Sequence, residues 1–254
     1  PAGSGTMSKC LIVTGGGRGI GAEVSRKAAK QGYSVCVNFH RDQASAQKLV
    51  RELEKEGANA IAYQADVSQE EEVEALFQTV EKDLGTPEAL VNNAGILDLQ
   101  TRVDGMNAER IQRIFAVNVT GSFLCAREAV KRMSTKYGGK GGSIVNLSSG
   151  AAKYGSPGEY VDYAASKAAI DTMTIGLAKE VAEEGIRVNA VRPGFIDTEI
   201  HQSGGEPDRM ERVRPLVPMK RVGQADEVAN AIMWLLSDKA SYTTGTILDV
   251  SGGR

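Results

Sequence analysis

The sequence predicts an α/β fold, a doubly wound parallel sheet of about seven strands with helices on both faces. Short apolar, β-branched runs alternate with amphipathic segments of ten or more residues along the whole chain. The short runs are apolar at nearly every position, as strands covered on both faces are. No repeat, low-complexity tract or linker interrupts this alternation over 254 residues, so a single domain accounts for the length.

In chain order, strands are predicted at residues 10–14 (CLIVT), 34–38 (SVCVN), 58–63 (ANAIAY), 89–92 (ALVN), 143–147 (SIVNL), 186–191 (IRVNAV) and 246–250 (TILDV). Helices are predicted over residues 19–31, 44–56, 70–84, 107–136, 160–184 and 225–236. Each strand–helix–strand unit should cross over right-handed. Residues 198–223 lack a period, and Gly204, Gly205, Pro207, Pro215, Pro218 and mixed charges suit a loop. A segment of that length is expected to act as a mobile lid over a ligand.

Thirty basic and 32 acidic side chains leave a formal charge of −2. That balance supplies no field for nucleic acid or an anionic membrane. Cys10, Cys36 and Cys125 are odd in number and each sits in an apolar run. A disulfide framework is not expected, and a reducing cytoplasm is. His40 and His201 share no ligand spacing with each other or a cysteine, so no metal site is expected. No apolar run nears the roughly 20 residues of a membrane span. Residues 1–6 read as a tag remnant, with Met7 as the native start and 7–254 as the domain.

The first strand runs into Thr14-Gly-Gly-Gly-Arg-Gly-Ile-Gly21, which opens the first helix. Glycine permits the tight turn and lets a pyrophosphate approach the backbone, while the helix N-terminus offers oriented N–H groups. A plain βα turn would also tolerate several glycines. The strand before and the helix after favour nucleotide binding, and with it a Rossmann fold.

Tyr163-Ala-Ala-Ser-Lys167 lies in a helical segment, where residues four apart share a face. A phenol titrates near 10, and a nearby ammonium favours the phenolate by roughly 1–3 pH units. That brings an acid–base group toward neutrality. Taken alone, a tyrosine and lysine at this spacing are more often a packed ring and a solvated cation. Here, however, the preceding strand ends in Ser148 and Ser149, at the carboxyl edge where ligands of such sheets bind.

The glycine spacing T-G-x-x-x-G-x-G, with Gly15, Gly19 and Gly21, and the Tyr163–Lys167 pair resemble the single-domain branch of the short-chain dehydrogenases/reductases. The overall pattern is similar to its glucose-dehydrogenase and 3-oxoacyl-carrier-protein-reductase members. Further segments match in order: Asp66-Val67, Asn92-Asn93-Ala94-Gly95, Asn118, Pro193-Gly194 with Ile196 and Thr198, and Gly252-Gly253. The resemblance implies NAD(P)-dependent hydride transfer with a carbonyl or secondary alcohol, and a catalytic set of Ser149, Tyr163, Lys167 and Asn118. Asn118 would hold a water for proton relay. Thr14, Gly15, Gly17, Arg18, Gly19, Ile20 and Gly21 would cradle the cofactor. Asp66 and Val67 would meet adenine. Asn93, Ala94 and Gly95 would line the cleft with Tyr163 and Lys167, and Pro193, Gly194, Ile196 and Thr198 would lie near the carboxamide. One departure stands out: Ser149 and Tyr163 are 14 positions apart, one more than the family's usual interval. The extra residue is placed in 154–162.

In NAD-selective relatives an acidic residue near Phe39 holds the adenosine ribose. Phe39 is followed by His40 and Arg41, and Arg18 sits in the glycine turn, so NADP(H) is expected over NAD(H). The alternative for Arg41 is a solvated helix-start residue, and Asp42 reads as a helix N-cap. Ile111, Ile114, Phe115, Phe123, Leu124 and Val130 exceed one sheet-facing stripe. By resemblance this implies a homotetramer, or a homodimer, built on paired helices. Substrate specificity is expected from residues 97–102, 151–160 and 198–223. A methyltransferase would explain the glycines but not Ser149, Tyr163 and Lys167 together. An epimerase-type relative needs an added domain. A non-catalytic nucleotide-binding regulatory protein that kept the fold is the alternative from another class.

Overall fold

The computed structural model describes residues 8–198 and 208–254. Strands β1 (Cys10–Val13), β2 (Ser34–Phe39), β3 (Ala60–Gln64), β4 (Pro87–Asn92), β5 (Gly142–Leu147), β6 (Ile186–Pro193) and β9 (Ile247–Val250) form one sheet. Its order is β3-β2-β1-β4-β5-β6-β9, and every neighbouring pair is parallel. All seven predicted strands are present, with ends displaced by one or two residues. Chain order reverses between β1 and β4, so the crevice beyond their carboxyl ends is the ligand position of such sheets.

The strands' two-residue period divides the core. Leu11 and Val13 point to one face, with Val35 and Val37, under α1 (Gly19–Lys30), α2 (Gln43–Lys55) and α9 (Ala225–Leu236). Cys10, Ile12 and Cys36 point to the other, under α3 (Glu70–Asp83), α5 (Gly121–Met133) and α7 (Val161–Val181). The three cysteines are free and buried, and burial pushes the Cys10 and Cys125 thiols up to about 12.

Two sequence expectations need correction. The single helix at 107–136 is α4 (Ala108–Phe115), a π-helical turn over Ala116–Thr120, and α5, ending before Ser134. The stretch 151–160, to which no element was assigned, begins with a helical turn, α6 (Ala151–Tyr154). Within 198–223, residues 199–207 lie outside the described residues, while the rest is not the loose loop expected. It holds α8 (Arg209–Val213) and buries Val213 and Val217. Strand β7 (Ile196–Asp197) also pairs in parallel with β8 (Gly223–Gln224). A two-residue ladder and a five-residue helix are too short to show a period.

Candidate active site

The glycine turn is held from three sides. Asn38, at the end of β2, accepts from Gly15 N through Oδ1 at 3.1 Å. Asn93, just past β4, donates from Nδ2 to the Gly15 and Thr14 carbonyls at 2.9 and 3.1 Å. Thr14 Oγ1 accepts from the N–H groups of Asn93 and Ala94, both at 3.0 Å. Gly15 and Gly19 have φ of +56° and +54°, which L side chains rarely adopt. A Cβ on Gly21 would stand 2.6 Å from Asn93 Nδ2, and one on Gly17 3.2 Å from Ala46 N.

Helix α1 then begins with no side-chain cap and no acidic residue in its first turn. Its N-terminal N–H groups and partial positive charge suit an anion. The residues present therefore fit a dinucleotide pyrophosphate. Ile20, Pro193, Gly194, Ile196 and Thr198 line the adjoining cleft.

At the far end of β2, Phe39 is buried and His40 and Arg41 are exposed. Asp42 caps α2, its Oδ1 accepting from Ser45 N at 3.1 Å, as its position beside a helix start suggested. The Ser45 hydrogen bonds hold its carboxyl below the usual range. Asp42 also lies 3.3 Å from Arg18 Nε. Asp66 accepts from Ser68 N at 3.0 Å and lies 3.7 Å from His40 Nε2, with Val67 buried beside it against Gly121.

Beyond β5 the two serines part. Ser148 is buried, and its Oγ donates to the Lys167 carbonyl at 3.2 Å, an intramolecular brace. Ser149 is partly open, accepts from Ala151 N at 3.1 Å, and lines one cleft with Tyr163. Tyr163 and Lys167 share one face of α7, with Lys167 Nζ 5.6 Å from the Tyr163 ring centroid. Lys167 is buried, and Nζ donates to the Leu147 carbonyl at 2.9 Å. Gly95 makes room there, since a Cβ would sit 3.4 Å from Nζ.

The electrostatics of the chain alone differ from the sequence expectation that Lys167 lowers the Tyr163 pKa. Burial pushes the Tyr163 phenol above its ordinary value, while the Ser149 hydrogen bond and the charge of Arg209 act downward. Burial also brings Lys167 down to about 8, against a smaller upward influence from Asp171. Desolvation is the largest cause of each shift and sets its direction.

Asn118 sits in the π turn and is fully buried. Its Oδ1 accepts from Ile96 N at 2.7 Å and its Nδ2 donates to Ile96 O at 2.9 Å and to Ser166 Oγ at 3.1 Å. One amide thus ties the segment just after β4 to α7 beside Lys167. Inserted π turns recur at functional sites because one extra residue re-aims a side chain.

A cleft of about 350 Å³ unites Asn93, Gly95, Ser149, Tyr163 and Lys167. All three segments expected to set specificity reach it, through Leu97, Tyr154 to Tyr160, and Thr198 with Arg209 to Leu216. Sequence reasoning missed Asn38, the buried Arg110–Asp162 pair, and the contributions of Phe195, Arg209 and Arg254. A polar residue at the end of an apolar strand was a usable signal for Asn38. Nothing local marks the others, since their partners lie far away in the chain.

A family profile described as enoyl-(acyl carrier protein) reductase matches residues 15–254. The chain is 56% identical over 243 residues to an uncharacterized oxidoreductase, YgfF, of Escherichia coli (strain K12), covering 96% of this chain and 98% of the relative. It is 40% identical over 246 residues to 3beta-hydroxysteroid dehydrogenase 1 of Eggerthella lenta, covering 96% and 93%. It is 38% identical over 245 residues to glucose 1-dehydrogenase 2 of Bacillus subtilis (strain 168), covering 96% and 94%.

Proposed function

The chain belongs to the short-chain dehydrogenase/reductase family of oxidoreductases, and from that premise we propose that it transfers a hydride between a nicotinamide dinucleotide and a carbonyl or secondary alcohol. One observation carries the proposal. Ser149, Tyr163 and Lys167 converge beside the glycine turn in one cleft, with Lys167 Nζ 5.6 Å from the Tyr163 ring centroid.

The bound dinucleotide supplies or accepts the hydride. The residues do the rest. Ser149 and Tyr163 hydrogen-bond the substrate oxygen. Tyr163 gives it a proton in reduction and takes that proton back in oxidation. Lys167 holds the nicotinamide ribose hydroxyls and adds positive charge beside the phenol. Asn118 keeps the backbone beside Lys167 in place for a water that carries the proton to solvent.

NADP(H) is the preferred cofactor in this reading, with NAD(H) also accepted. Phe39 leaves no carboxylate at the end of β2, and His40 and Arg41 are exposed there. A homotetramer is supported by Ile111, Phe123 and Ile175, exposed to 38, 52 and 41% on α4, α5 and α7. The cytoplasm is the compartment that buried, unpaired thiols suit. Among the described residues no helix is long and apolar enough to cross a membrane.

The test is a cofactor-coupled screen of ketones, aldehydes, sugars and 3-oxoacyl thioesters, read by nicotinamide absorbance. Turnover with at least one compound is expected. Cofactor binding without turnover on any would favour the non-catalytic nucleotide-binding alternative.

A further inference from the structure

The cleft that contains Ser149 and Tyr163 also gathers charge. Among the described residues, its lining includes the guanidinium groups of Arg209 and Arg254 and one carboxylate, Glu159. That carboxylate is shared: Oε2 lies 3.1 Å from Arg209 Nη1, and Oε1 accepts from Arg212 Nη2 at 3.3 Å.

Arg209 is only 8% exposed, and while its Nη1 is ion-paired with Glu159, its Nε makes no hydrogen bond. Arg254 Nη1 is likewise buried without a partner, while its main-chain oxygen accepts from Ser251 Oγ at 2.8 Å. Both guanidinium groups are packed on rings. Arg209 lies 5.3 and 5.8 Å from the Tyr160 and Phe195 centroids, and Arg254 4.7 and 4.9 Å from those of Phe195 and Tyr154.

Stacking fixes a guanidinium plane and removes water from its faces, but offers no acceptor to the N–H groups at its edge. A buried donor left without an acceptor costs about 1–3 kcal/mol, more when charged. Such groups in a ligand cleft point to an acceptor that arrives with the ligand. The planar fork of an arginine matches the paired oxygens of a carboxylate or phosphate.

We infer that the substrate carries, beside its reacting carbonyl or alcohol, an anionic oxo group, a carboxylate or a phosphate, which Arg209 and Arg254 bind. The inference rests on the oxidoreductase reading above and assigns its substrate class. Tyr163, Arg209 and Arg254 line the same cleft, so the anion and the reacting oxygen belong to one small molecule.

The experiment compares matched pairs on the full chain with saturating cofactor: hydroxy or oxo acids against their methyl esters, and phosphorylated alcohols against the free alcohols. The charged member of one series should exceed its neutral partner in kcat/KM at least ~10-fold, as expected for one desolvated anion contact. The series that responds separates carboxylate from phosphate. Arg209→Gln and Arg254→Gln should bring the ratio close to one. Neutral compounds turned over as well as charged ones, or ratios unchanged in both variants, would overturn the anion site and leave the oxidoreductase reading intact.

If no compound of either kind reacts, the oxidoreductase reading stands or falls on the broader screen above, and calorimetry decides the anion site on its own. Malonate and inorganic phosphate are titrated with dinucleotide present, so that the glycine turn is already competed. Heat that is lost in Arg254→Gln supports the site. No binding up to about 10 mM rejects it. Should Arg209→Gln fail to fold, the less buried Arg254→Gln carries both arms.

Discussion

Lys167 Nζ directs its hydrogen bond to the main-chain oxygen of Leu147, 2.9 Å away, which places a buried ammonium at the carboxyl end of β5. Burial brings its pKa from 10.5 to about 8. The folded chain therefore bears a penalty for the charged form below pH 8. The penalty shrinks between 8 and 10.5, where the unfolded chain holds the proton and the folded chain has released it. It is absent above that window. Lys167→Met removes it, for a gain on the order of 3 kcal/mol at pH 7, less about 1 kcal/mol for the stranded Leu147 carbonyl. Urea melts at pH 7 and pH 10 should show a variant more stable than its parent at the lower pH and not at the higher. A variant less stable at pH 7 would contradict the assignment.

The two serines separate by experiment. Tyr163→Phe should lower kcat by at least ~10²-fold, as loss of an acid–base group does, while cofactor affinity is retained. Ser149→Ala should be comparably severe. Ser148→Ala removes only the bond to the Lys167 carbonyl, so its kcat should stay within a few-fold of the parent. The reverse order for the serines would move the substrate-binding role to Ser148.

Arg110 and Asp162 tie α4 to the first turn of α7 one residue before Tyr163. Nε and Oδ2 are 2.8 Å apart, with side chains 10% and 2% exposed. Arg110 Nη1 also donates to Leu99 O at 2.6 Å. Asp162→Asn strands a buried guanidinium and should destabilise the chain by about 3–5 kcal/mol. Replacing both residues with hydrophobic ones of similar volume should recover most of that loss. A denaturation cycle over the two single variants and the double variant measures the coupling.

Cofactor choice is tested by kcat/KM with NADP(H) and NAD(H) on one substrate. The parent should favour NADP(H), and Phe39→Asp should shift preference toward NAD(H) by setting a carboxylate at the end of β2. A tenfold preference of the parent for NAD(H), or a variant with unchanged selectivity, would remove the reading of His40 and Arg41 as phosphate ligands.

The seven sheet strands, the long helices, the glycine turn and the spacing of Tyr163 and Lys167 were all legible in the chain. Each depends on a local period or on residues a few positions apart, and local sterics and one-sided burial enforce such patterns wherever they occur. The π turn at Asn118, the short β7–β8 ladder and α8 were not, because no period develops over so few residues. Nor was the direction of the Tyr163 and Lys167 pKa shifts. Spacing places the two groups on one helix face, but burial by the whole fold sets the sign of each shift. The Arg110–Asp162 pair joins residues 52 apart, and Arg209 and Arg254 meet at Phe195 from separate parts of the chain. Those contacts exist only once the sheet has brought the segments at its carboxyl edge together, so the charge of the cleft is a property of the tertiary structure.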